Sequence, residues 1–133
     1  MYVLFRDDLV DSEEIAGLIN SETVFRVETD LTKATKREDV MGFKLSVATK
    51  DIESDKAFDW ENDEIVDSFF SKAESLTKDF LKYFPKYTIQ CSEAYKWDEV
   101  EERIYLIVVI SNIDLKLKKL KLDILKRMMK QVD

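Results

Sequence analysis

Hydrophobic and polar positions alternate along much of this chain, and they change period at recognisable points. The stretch Ile104-Tyr105-Leu106-Ile107-Val108-Val109-Ile110 is apolar throughout and rich in β-branched residues. Seven such residues are too few to cross a membrane and match a strand buried on both faces, in the middle of a sheet. Upstream, residues 2–6 predict a short strand. Thr23 to Thr29 alternates, with Phe25 and Val27 on one side and Arg26 and Glu28 on the other. Gly42 to Lys50 does the same, with Phe43, Leu45 and Val47 sharing a face, and the polar run Asp30 to Met41 between these strands predicts a long, mobile loop. Tyr87 to Trp97 alternates again, placing Tyr87, Ile89, Cys91, Tyr95 and Trp97 on one side. The charged turn Asp98 to Arg103 then leads into the central strand as a hairpin.

Three segments follow a helical period instead. Asp11 or Ser12 caps a helix through about Asn20, with Glu13 and Glu14 in its first turn and Ile15, Leu18 and Ile19 as its apolar stripe. Asn62 caps a second helix, on which Ile65, Val66, Phe69, Ala73, Leu76, Phe80 and Tyr83 fall on one face until Pro85 stops it. Asn112 caps a last helix to about Gln131, lined by Ile113, Leu117, Leu120, Ile124 and Met128, with Leu125 and Val132 beside that face; Leu115, Leu122 and Met129 fall on its far side. Residues 113–118 also alternate, so a strand there is the competing reading. The order β-α-β-β-α-β-β-α predicts a single α+β domain over residues 1–133. Its mainly antiparallel sheet has four to five strands, covered by two or three helices.

Composition narrows the chemistry. The chain of 133 residues has no histidine, two glycines, one proline and one cysteine. Without histidine the commonest general base and zinc ligand are missing, and a glycine-rich phosphate loop is excluded. Charged residues make up 37% of the chain, which argues against a membrane span, and the first residues lack the basic and apolar regions of a signal peptide. With Cys91 alone, no internal disulfide forms, so a cytoplasmic protein of a cell or of an infecting virus is expected. The net charge of −7 is uneven: residues 1–112 hold 14 Lys/Arg against 25 Asp/Glu, and residues 113–133 hold 7 against 3. An acidic body argues against binding nucleic acid through its phosphates and favours basic partners.

The most acidic stretch runs from Asp51 to Glu64, joined by Asp67, with Phe58 and Trp60 in its middle. Its spacing resembles a calcium loop, which needs glycine at the sixth position and glutamate at the twelfth. Counted from Asp59 those positions hold Glu64 and Phe70, and from Asp51 they hold Lys56 and Asn62, so both registers fail. A magnesium nuclease would need an acid-x-lysine pair on a strand end; Glu93-Ala94-Tyr95-Lys96 is one residue too long, and Asp114-Leu115-Lys116 falls in the last helix. Neither a metal nor another cofactor is expected. Cys91, on an apolar strand face, reads as a small buried hydrophobe.

These features point to a small acidic, non-enzymatic binding protein that docks on the basic surface of another, nucleic-acid-handling protein. Inhibitors, immunity proteins, antitoxins and phage-encoded anti-defence proteins share this logic, with carboxylates occupying a site built for phosphates. The expected docking residues are Asp51, Glu53, Asp55, Phe58, Asp59, Trp60, Glu61 and Asp63, with Asp98, Glu99, Glu101 and Glu102 at the hairpin tip as a second patch. Direct contact with nucleic acid or a membrane is not expected. Two other readings compete: an assembly subunit, such as a phage particle component, that forms a homo-oligomer through the C-terminal helix or an open sheet edge, and a metal-dependent enzyme using carboxylates alone.

Overall fold

The computed structural model describes residues 1–53, 58–113 and 115–132. Its main sheet has four antiparallel strands in the order β3-β4-β6-β5: β3 (Phe25–Asp30), β4 (Val40–Ala48), β6 (Arg103–Asn112) and β5 (Thr88–Asp98). The apolar stretch 104–110 lies in β6, one of the two inner strands, and alternate residues feed two separate cores. Ile104, Leu106, Val108 and Ile110 join Phe43, Leu45, Phe69 and Phe80 on one face. Ile107 and Val109 join Val40, Leu120, Ile124, Leu125 and Met128 on the other. Six of these seven β6 side chains are wholly apolar and fully buried, and only Tyr105 is partly exposed. An antiparallel strand loses its usual polar face when helices cover both sides of it.

The first core is covered by helix α1 (Ser12–Glu22) and helix α3 (Asp63–Leu76), with the short helix α2 (Thr49–Ile52) between β4 and α3. Asp11 caps α1 by accepting the Glu13 N–H at 3.1 Å, and Asn62 caps α3 by accepting from Glu64 and Ile65. The expected single helix up to Pro85 instead divides. After Leu76 the chain tightens into a 3-10 helix over Thr77–Tyr83. Three residues per turn keep Thr77, Phe80 and Tyr83 on one side, with Thr77 and Phe80 fully buried. The strand expected over residues 2–6, β1 (Tyr2–Phe5), pairs with β2 (Asp8–Asp11) in a separate two-stranded sheet, and β2 is the element the sequence pattern did not announce. Val3 and Phe5 insert into the first core, where Phe5 meets Phe84 edge to face at 5.7 Å.

Two further expectations change. The segment between β3 and β4 folds against the sheet: Leu31 N–H donates to the Gly42 carbonyl, Lys33–Thr35 form a 3-10 turn, and the Thr32 and Thr35 side chains are buried. The last helix begins at Leu117 rather than after Asn112, and Leu120–Leu125 are wound as a π-helix before a final α-turn over Lys126–Met129. In an α-helix Leu125 would lie about 140° from Leu120; at roughly 4.4 residues per π turn the two come within about 50°. That winding puts Leu120, Ile124 and Leu125 together in the second core. Ile113 and Leu117, expected inside, are half exposed, whereas Leu115 and Met129 pack against the core they were expected to face away from.

Truncating Leu120 to Ala is expected to lower unfolding free energy by ~2–5 kcal/mol, whereas Leu122→Ala, at a position 57% exposed, should change it by less than ~0.5 kcal/mol. Urea denaturation of the two variants measures the contrast.

Candidate functional site

At the end of the molecule where β5 turns into β6, the structure brings the two predicted acidic segments side by side. Phe58 is the hinge of this arrangement. Its ring packs edge to face on Phe69 of α3 at 5.1 Å, on Trp97 of β5 at 6.2 Å, and beside Trp60 at 6.5 Å. Trp97 also lies against Phe70 at 6.0 Å. Phe58 is thus anchored in the first core, while Trp60 and Trp97 keep 36% and 38% of their surface exposed. A second tie is made by backbone: Thr49 N–H donates to the Glu102 carbonyl at 2.9 Å, which holds the start of α2 to the hairpin tip.

Trp97 reaches this cluster because of a β-bulge. The pairing of β5 with β6 shifts between Ala94 and Lys96, so Tyr95 is the extra residue. Before the bulge, Ile89 and Cys91 face the C-terminal helix; after it, Trp97 faces α3. The expectation that Tyr87, Ile89, Cys91, Tyr95 and Trp97 share one side therefore holds for Ile89, Cys91 and Tyr95, which pack against the second core, and is corrected for Tyr87 and Trp97. Tyr87 has left the strand, with φ of +66° and 62% exposure. Cys91 is half-buried against the second core rather than fully buried as expected, and partial burial pushes its thiol up to about 12.

The predicted acids divide by what their carboxylates do. Asp98 accepts from the Val100 and Glu101 N–H groups, and Asp59 accepts from the Glu61 N–H, so both organise their own turns. Glu53 forms an ion pair with Lys72 of α3. Glu101 accepts from Tyr105 Oη at 3.3 Å and lies 3.8 Å from Arg26. Asp51, Glu61, Asp63, Glu99 and Glu102 are exposed. Asp55 lies outside the described residues. Among the described residues, no group of three or more His, Cys, Asp or Glu side chains is disposed to hold a metal ion.

A polar network that sequence reasoning missed adjoins this end, on the half of the sheet the C-terminal helix leaves uncovered. Glu28 accepts from Ser46 Oγ and Arg26 Nε, both at 2.6 Å, and Arg103 Nε donates to Ser46 Oγ at 2.9 Å. Lys44 and Lys96 stand over the Tyr105 ring at 5.5 and 4.9 Å from its centroid. Burial raises the Tyr105 hydroxyl pKa, and the nearby Glu101 carboxylate adds to the effect. Alternation puts Glu28 on the same face as Arg26 and Ser46; a bulge also falls at Glu28, between Val27 and Thr29, and nothing in the β3 sequence marks it. The alternation of Arg26 and Glu28 opposite Phe25 and Val27 was the only signal available.

Comparison with protein-family models, curated proteins and solved structures gives no match. No helix among the described residues is long and apolar enough to cross a membrane.

Burial raises the Glu28 pKa, but the hydrogen bonds from Ser46 and Arg26 outweigh it and hold the carboxyl below its ordinary value. A carboxylate with a lowered folded pKa adds stability above the unfolded pKa, and this is lost as pH falls through the folded one. Glu28→Gln is therefore expected to flatten the loss of stability between about pH 5 and pH 3, read from thermal melts of both proteins.

Proposed function

We propose that this chain is a non-enzymatic docking protein whose acidic end, centred on Trp60 and Trp97, binds the basic surface of a nucleic-acid-handling protein. The observation that carries the reading is the Phe58–Trp97 contact, by which two segments about forty residues apart form one surface. Exposed indoles set on a buried aromatic base have the form of interface anchors, which lose little side-chain freedom on binding. Carboxylates around them supply complementarity to arginine and lysine, and speed encounter with a cationic surface. Glu61, Glu99 and Glu102, exposed in the segments that carry the two indoles, are the acids this reading assigns to the rim. Inhibition follows by occlusion, with carboxylates standing where phosphates would bind.

The test uses a variant with Trp60→Ala, Trp97→Ala and Glu99→Gln, compared with the unaltered chain as immobilised bait at low and high salt. The expected result is capture of a basic protein that weakens with salt, falls at least ~30-fold in affinity for the variant, and is displaced by competing DNA or RNA. Capture that the variant retains, or that nucleic acid leaves untouched, would refute the acidic docking surface.

A further inference from the structure

The main sheet has two edges, and they are closed to very different degrees. At β3 the outward groups are engaged by the chain's own side chains: Phe25 N–H donates to Thr23 Oγ1 at 3.1 Å and Val27 N–H to Asn20 Oδ1 at 2.8 Å. The bulge after Val27 and the charges of Arg26 and Glu28 add to that protection. At β5 every comparable device sits in the second half of the strand. Glu74 reaches from α3 to accept the Ala94 N–H at 2.8 Å, the bulge follows at Tyr95, and Lys96 comes next.

The first half, Thr88-Ile89-Gln90-Cys91-Ser92, has no charge, no proline and no bulge. The Ile113 N–H donates to the Tyr87 carbonyl, so odd-numbered residues of this half exchange hydrogen bonds with β6. Thr88, Gln90 and Ser92 therefore turn their backbone N–H and C=O groups outward, as Ala94 does. An open groove lined by Ser71, Ser75, Lys78 and Gln90 runs beside this edge. Within it, Gln90 Nε2 donates to the Thr77 carbonyl, which leaves the buried Gln90 Oε1 without a hydrogen-bond donor among the described residues.

We infer that Thr88–Ser92 pairs antiparallel with the same segment of a second copy, about a two-fold axis at Gln90, to join two four-stranded sheets into one. The segment is complementary to itself in that register. Thr88 falls opposite Ser92, hydroxyl to hydroxyl, and Ile89 opposite Cys91, apolar to apolar, while Gln90 faces its own copy. Like pairs of these kinds favour a sheet, and no like charges meet within the segment. Beyond Ser92 the Glu74 cap and the bulge end it, and beyond Thr88 the left-handed turn at Tyr87 does the same. The acidic end with Trp97 lies at the other end of β5, so this pairing stands or falls independently of that docking surface.

The experiment is residue-resolved amide hydrogen exchange on the full chain at low-micromolar and near-millimolar concentration, with sedimentation velocity on the same samples. At high concentration a dimer is expected, with the Thr88, Gln90 and Ser92 amides slowed ~10-fold or more, while those of Ile89 and Cys91, bonded to β6, stay slow throughout. Gln90→Glu sets two carboxylates across the axis and is expected to disperse the dimer, with unchanged protection at Ile89 and Cys91 showing that the fold is kept. A monomer at both concentrations would overturn the inference. So would a dimer in which the three outward amides remain fast, since its contact would then lie elsewhere.

Discussion

The fold depends on β6 being buried from both sides. Covering a strand with helices on one face is enough to make a stable α+β domain, and many antiparallel sheets leave the other face wet. Here Ile107 and Val109 are as apolar as Leu106 and Val108, and the sheet would expose them if the C-terminal helix were absent. The demand for that second cover explains why a short segment with an awkward spacing of leucines is wound into a π-helix. It also explains the half-sheet that remains open. The helix spans Ile107 and Val109 but not Tyr105 or Arg103, and polar residues of all four strands take over where the apolar ones stop.

Much of this was legible because burial leaves strong marks on sequence. The run 104–110 identified an inner strand without help from its neighbours, since few structures other than a doubly covered strand use so many β-branched residues in succession. The helix after Asn62 was equally plain as far as Leu76, with its cap, its acidic first turn and the apolar face of Ile65, Val66, Phe69, Ala73 and Leu76. The hairpin tip between Asp98 and Arg103 followed from its charge. What stayed hidden has one physical character in common: changes of winding or register that leave composition unaltered. The bulges at Glu28 and Tyr95, the 3-10 turns after Leu76 and the π turns after Leu120 each shift which residues share a face, yet each uses residues that would also suit the regular element.

The candidate site shows the consequence. Phe58, Trp60 and the acids around them could be nominated from sequence, and Phe58 proved to be both core residue and support for the surface. Trp97 could not be joined to them, because strict alternation places it on the wrong side of β5. One extra residue in the ladder moves its indole from the C-terminal helix to α3, and with it the relation between two acidic segments. Several of the nominated acids also have local tasks, as Asp98, Asp59 and Glu53 do, which charge alone does not reveal.

The protection of β3 has a bearing on size. A sheet that could accept a strand at either margin could grow without limit, copy after copy, into a fibre. With Asn20, Thr23 and a bulge sealing one margin, addition at the other has nowhere to continue. Whatever joins this sheet must therefore finish it.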